Sequence, residues 1–322
     1  MFQIMDASSL KDYNSIRDGR VGIYNRERGL FEVSGSEAVQ FLNGLVTNDV
    51  SKLEDGKQML AAFPTLKGRI FAVVRVMRRG DSFLFETEEA SRQKVFENLF
   101  RFTFAGDFHL QDLSDNYKFF STFGEANKDF PNGTVNFQND FFVPVDSVDS
   151  FEKFQRDSVW ISDELYEVLR IENGIPKYGI DMDEETVVPE LNFDGMISYE
   201  KGCYIGQEVI ARIHFRGKPA KQLRGLILDS HNHPAAGSRT PPLEGGKFGK
   251  DSTAIEDAER DLVGVDLKSD DDKNAGTITS IAFSPKFGKT IALAYVRNAF
   301  LESGTVLKAG DFSAKVVELP FG

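Results

Sequence analysis

The chain has 322 residues and a formal net charge of −12, with 38 lysines and arginines against 50 aspartates and glutamates. That length exceeds one small core and fits two or three compact units, and the acidic balance excludes a nucleic-acid surface over the whole molecule while leaving room for a local basic patch. A single cysteine excludes an intrachain disulfide, and the four histidines and one cysteine show no zinc-ligand spacing.

The N-terminus, Met1 to Asp6, lacks the basic-then-apolar pattern of a signal peptide. No apolar run approaches the ~20 residues that span a bilayer. The expectation is a cytoplasmic protein with no membrane, nucleic-acid or metal partner. Gly22-Ile23-Tyr24 and Gly29 to Val33 alternate as short strands. Ser34 and Glu37 have capping-box spacing, which predicts a helix starting there, with Val39, Leu42, Leu45 and Val46 on its buried face. Gln58 to Phe63 and Ile70 to Met77 read as strands around a hairpin loop at Pro64 to Gly68. Ser82 to Glu86 is a third strand, and Glu88 to about Phe100 a helix. After Gly106 the grammar repeats, with strands at 108–110, 118–120 and 141–145 and a helix from Ser150. Ser162 to Asn173 is an amphipathic helix, with Gly174 as C-cap and Pro176 as a stop. From Arg224 the pattern turns all-β, with strands at 224–228, 276–279, 290–296, 305–307 and 315–317. Between them, about 230–275, the chain is rich in Pro, Gly and Asp and predicts long loops.

The stretch Lys201-Gly202-Cys203-Tyr204-Ile205-Gly206-Gln207-Glu208 holds the lone cysteine between glycines, with a lysine two residues before it. Gln207 to Ile213 predicts a short helix whose free N–H groups face back toward Cys203. A lysine and a helix N-terminus both favour the thiolate of a nearby cysteine. The residues therefore fit an activated thiol in a glycine-shaped loop. They fit equally a small buried hydrophobe beside a turn, and local chemistry leaves the two readings level.

The whole string resembles the signature of the YgfZ-type folate-binding proteins, relatives of the glycine-cleavage aminomethyltransferase. Phe41 to Val50, Lys67 to Ile70, Arg170 to Pro176, Pro189 to Asn192 and Gly276 to Val296 resemble the family's other blocks in the same order. The resemblance implies an α+β, aminomethyltransferase-like folate-binding fold. Two similar modules, about 1–105 and 106–220, would surround a central cavity, and an antiparallel β-barrel would occupy 221–322. It implies a monomeric tetrahydrofolate-binding protein that supports iron–sulfur cluster assembly or repair in client proteins. Cys203 and Lys201 would carry the activity. Glu172, Tyr204, Arg212, Arg216 and Asn48 would hold the folate.

Each of these residues has a plainer reading. Glu172 sits at a helix end, Tyr204 suits a core anchor, and Arg212 and Arg216 suit a solvated face. Gln207 and Glu208 favour a first helical turn. His109 and His214 are isolated, and His231 and His233 lie in the loop-rich stretch. The alternative function is a folate-dependent aminomethyl or one-carbon transferase. Against it, Gly68-Arg69-Ile70 is followed by Phe71-Ala72-Val73, where the aminomethyltransferases carry an acidic pair. A third reading is an interaction module that keeps the fold without the ligand.

Overall fold

The computed structural model describes residues 5–124, 130–230 and 262–322. The chain opens on a helix that the sequence patterns do not announce, α1 (Ala7–Arg17), capped by the Asp6 carboxylate, which accepts from the Ser9 N–H at 2.7 Å. Only Tyr13 and Ile16 of α1 are buried, too few to give a readable apolar stripe. Strands β1 (Gly22–Arg26) and β2 (Arg28–Ser34) follow as predicted. Helix α2 (Ala38–Leu45) starts later than the Ser34–Glu37 spacing predicts, and the capping box does not form. Glu37 instead accepts from the Asp107 N–H at 2.7 Å. Gly35, at φ +114°, turns the chain so close to 106–107 that a Cβ would lie 2.2 Å from the Asp107 carbonyl oxygen.

In order come β3 (Gln58–Pro64), β4 (Ile70–Arg79), β5 (Ser82–Glu88), α3 (Glu89–Phe100), β6 (His109–Asp112) and β7 (Tyr117–Phe123). The short β8 (Val135–Phe137), β9 (Asp140–Pro144), α4 (Val148–Phe154), β10 (Val159–Trp160), α5 (Asp163–Glu172) and α6 (Gln207–Arg216) complete the first two-thirds. One five-stranded sheet runs β3-β4-β5-β2-β6 and the other β10-β1-β7-β9-β8. The expected module boundary near 105/106 therefore does not follow the sheets. β1 pairs with β7 and β10, and β6 pairs with β2, so each sheet takes one strand from across that boundary. Glu27 is the single residue between β1 and β2, and there the chain leaves one sheet for the other. Alternation reports which face of a strand is buried and says nothing of its neighbour.

Buried charges join the two sheets. The Arg75 guanidinium of β4 pairs with Glu86 at 2.7 Å and reaches Asp140 of β9 at 2.5 Å. Burial raises the Glu86 pKa, but Arg28 and Arg75 overcome that and hold it at about 2.

The last third closes on itself. Strands β11 (Lys221–Ser230), β12 (Asp266–Lys268), β13 (Asn274–Ser284), β14 (Lys289–Arg297), β15 (Val306–Ala309) and β16 (Phe312–Val317) form a barrel in the order β11-β14-β13-β12-β15-β16. β12 falls within the stretch expected to be loops; three residues pairing on both edges carry little periodicity. The rest of that stretch, 231–261 with His231 and His233, lies outside the described residues. Among the described residues no helix is long and apolar enough to cross a membrane.

Candidate functional site: the Lys201–Glu208 loop

The loop is fixed from inside. The Lys201 side chain is buried, and its amine donates to the carbonyls of Val46 at 2.6 Å and Asn48 at 2.8 Å. It also sits 4.8 Å from the centroid of the Tyr204 ring. Lys201 thus clamps the 46–48 turn, with its amine turned inward to two backbone carbonyls. Neighbouring bonds complete the clamp. The Thr47 hydroxyl donates to Met196 O at 2.8 Å, and the Asn48 amide donates to Leu60 O at 2.8 Å and Gly195 O at 2.6 Å. The Ile205 N–H donates to Gly44 O at 3.1 Å.

Burial lowers the Lys201 amine to about 8, with the Asp49 charge working against it. A neutral amine still offers two N–H donors, one for each carbonyl. The folded pKa lies below the unfolded value, so between about 8 and 10.5 the unfolded chain binds more protons. Stability should therefore gain a contribution as pH rises through that window. Thermal unfolding of the wild type and of Lys201→Met across it checks this. The variant should lack that part of the rise, and equal slopes would contradict the assignment.

Gly206 shapes the other end. It stands at φ +78° as N-cap of α6, and a Cβ there would meet Thr65 O at 2.3 Å and Gly68 N at 3.2 Å. The β3–β4 hairpin is thereby pressed against the start of α6, where a Cβ on Gly68 would touch Val209 at 3.2 Å. Gly202 has open space around its Cβ position and takes no such conformation. Cys203, between these fixed points, is exposed. The reading as a buried small hydrophobe does not hold.

Of the residues that the resemblance assigns to folate, four are already engaged or covered. Glu172 is buried, and both its oxygens have partners. Oε1 accepts from Tyr13 at 2.8 Å and from the Ser284 hydroxyl, and Oε2 pairs with Arg17. Tyr13 titrates high, pushed to about 12 by burial and by the Glu172 charge. Tyr204 is buried against Lys201, the anchoring role its type also suggests. Asn48 spends its amide on two carbonyls. Arg212 is paired with Glu208 at 2.7 Å, one turn away. As arranged, Glu172, Tyr204 and Asn48 are turned to protein partners, and a ligand reaches Glu172 only by displacing Tyr13 and Arg17. Arg216 is exposed and makes no hydrogen bond or ion pair among the described residues. Tyr13, Arg17 and Ser284 escaped the sequence reading because they lie 159, 155 and 112 residues from Glu172.

β4 brings no carboxylate at its start. Ala72 is fully buried, and Phe71 packs on Phe63 with centroids 5.4 Å apart. Beside the motif loop, residues 188–199, the end of α6 and the start of β11 enclose a cavity of about 330 Å³. Tyr199 and His214 line it, stacked with centroids 3.6 Å apart. His214 is therefore part of an aromatic pair rather than isolated. Neither Cys203 nor Glu172 lines this cavity.

Residues 3–130 match the profile of the GCVT N-terminal domain, and residues 255–321 match the glycine cleavage T-protein C-terminal barrel domain. The chain is 30% identical over 238 residues to a tRNA-modifying protein YgfZ of Hamiltonella defensa, covering 65% of this chain and 70% of that one. It is 26% identical over 218 residues to an iron-sulfur cluster assembly factor IBA57 homolog, mitochondrial, of Mycosarcoma maydis, covering 61% of this chain and 54% of that one. The crystal structure of the glycine cleavage system aminomethyltransferase T from Bartonella henselae superposes with a TM-score of 0.77, over 98% of this chain and 89% of that one. At 17% identity that likeness shows the fold alone. The two interleaved sheets and closed barrel are thus those of an aminomethyltransferase fold, and on sequence the chain belongs to the glycine cleavage T-protein family as a YgfZ-type member.

Proposed function

We propose that this chain is a tetrahydrofolate-binding accessory protein that supports the assembly or repair of iron–sulfur clusters in client proteins, with Cys203 as the group it presents to them. One observation carries the reading. A loop locked by a buried lysine and a left-handed glycine leaves its single thiol exposed. A buried cysteine would serve packing, whereas an exposed one on a fixed loop is placed for a partner.

The names borne by two relatives support the cluster part: one modifies tRNA and the other is a cluster assembly factor. The folate part leans on the family. The residues in hand do not supply an open pterin contact at Glu172, so no chemical step is assigned to folate here. One thiolate per chain is too few for an ordinary cluster, which takes four ligands. The chain therefore contributes one sulfur to an exchange whose other ligands come from the client or an assembly partner.

Cys203→Ser tests the reading. The side chain is exposed, so stability should change by no more than about 0.5 kcal/mol. In cells depleted of the wild type, the activity of iron–sulfur enzymes should fall severalfold with the variant. Full activity with Cys203→Ser would overturn the proposal, and a matched unfolding curve keeps a folding defect from mimicking support.

A further inference from the structure

The cavity beside α6 has a chemistry of its own. Its aromatic wall is the Tyr199–His214 stack, and Phe215 stands edge-on to His214 at 4.7 Å and to Tyr199 at 6.0 Å. Phe215 is 69% exposed. Phe193 and Ile197 add apolar surface, and the Asn192 amide and the Gln222 NH2 add polar contacts, the Gln222 oxygen already accepting from Arg224 at 3.1 Å. Lys218 also lines the cavity, and Arg216 lies two residues away. Both cations are exposed, and neither has a hydrogen bond or ion pair among the described residues. In a chain of net charge −12, two such cations beside a ring stack mark a local reversal of sign. Asp194 is the one acid among the lining residues.

We propose that this cavity binds a nucleoside phosphate. A base has a flat π-face that stacks on aromatic rings whatever its sequence, and amide side chains pair with its polar edge. The free face of the Tyr199–His214 stack offers the stacking surface, and Asn192 and Gln222 offer the edge contacts. Lys218 and Arg216 offer the charge that a phosphate needs. Asp194 can accept from ribose hydroxyls. A cavity of about 330 Å³ is at the small end of ligand sites and suits one nucleotide unit. The basic residues in the last turn of α6 also complement the helix dipole, but that role needs neither an exposed phenylalanine nor a cavity. The same moiety arrives either as a free nucleotide or as one residue of an RNA strand. Neither Cys203 nor Glu172 is among its lining residues.

The experiment titrates the full chain calorimetrically with adenosine monophosphate, with adenosine and with a short adenine RNA strand. The expected result is saturable binding of the monophosphate, weaker binding of adenosine, and a loss of about tenfold in affinity for His214→Ala and for Lys218→Glu. RNA binding tighter than the monophosphate, with a steeper salt dependence, identifies a strand as the source. Equal affinities identify the free nucleotide. The proposal is overturned if none of the three probes gives heat, or if both substitutions leave binding unchanged while unfolding curves show both variants folded. It is also overturned if 5-formyltetrahydrofolate displaces the monophosphate and His214→Ala weakens folate to the same degree, since the cavity would then be folate's. Folate binding that survives both substitutions leaves the two sites separate.

Discussion

Arg170→Met should destabilise the protein by about 3–5 kcal/mol, the range for breaking a buried ion pair by removing one partner. Arg170 lies near the C-terminal end of α5, and its side chain is 1% exposed. Its guanidinium donates to Asp181 at 2.9 Å, Ile175 O at 3.1 Å, Ser280 Oγ at 2.8 Å and Glu167 at 2.8 Å. It therefore bolts the end of α5 to strand β13 of the barrel through Ser280. Asp181 has a fully buried side chain and also accepts from Thr279 and Ser280 of β13, at 2.5 and 2.6 Å. Methionine replaces most of the volume but leaves the Asp181 carboxylate facing low dielectric without its cation. Urea unfolding measures the loss. The double variant Arg170→Met with Asp181→Asn should recover a large part of it, because the orphaned charge is then gone. A loss below about 1 kcal/mol for the single variant would mean that water reaches the pair and that the joint is weaker than its geometry.

The second large effect is at Gly206. Gly206→Ala forces a side chain into the left-handed region and sets its Cβ 2.3 Å from Thr65 O. Backbone strain of this kind costs about 1–3 kcal/mol, and the hairpin must also retreat from the helix. A total of about 2–4 kcal/mol is expected. The damage should be local, so hydrogen exchange should quicken at 64–70 and 201–208 while the barrel strands keep their protection. An alanine that changes stability by less than about 0.5 kcal/mol would show that the contact between loop and hairpin is loose.

The elements with strong periodicity were legible before any coordinates. The α5 stripe and the turn at Gly174, φ +66°, are each a local signal that the structure bears out. Helix α6 begins at Gln207, directly after the glycine that marked its start. What failed to show was non-local. α1 is mostly polar, and its purpose is to reach Glu172 through Tyr13 and Arg17, far along the chain. The exchange of β1 and β6 between sheets leaves no trace in alternation. Ser34 and Glu37 had the right spacing for a cap, but the backbone of Asp107 claimed Glu37 first.

The site was legible in the same uneven way. The motif marked the loop and its lone thiol as a unit, and the structure leaves that thiol exposed. It assigned Lys201 to the thiol, whereas the amine turns inward to Val46 and Asn48. Glu172 was found at its helix end, yet nothing local could announce three partners from two other parts of the chain. His214 read as isolated because its partner Tyr199 stands fifteen residues earlier, and only the fold stacks them.

The central claim is that a folate-binding fold carries the exposed thiol. Calorimetric titration of the purified chain with 5-formyltetrahydrofolate, paired with thermal unfolding, tests it most directly. The account predicts saturable heat at one site per chain and a rise in unfolding temperature with ligand concentration. Absence of both heat and shift would contradict it.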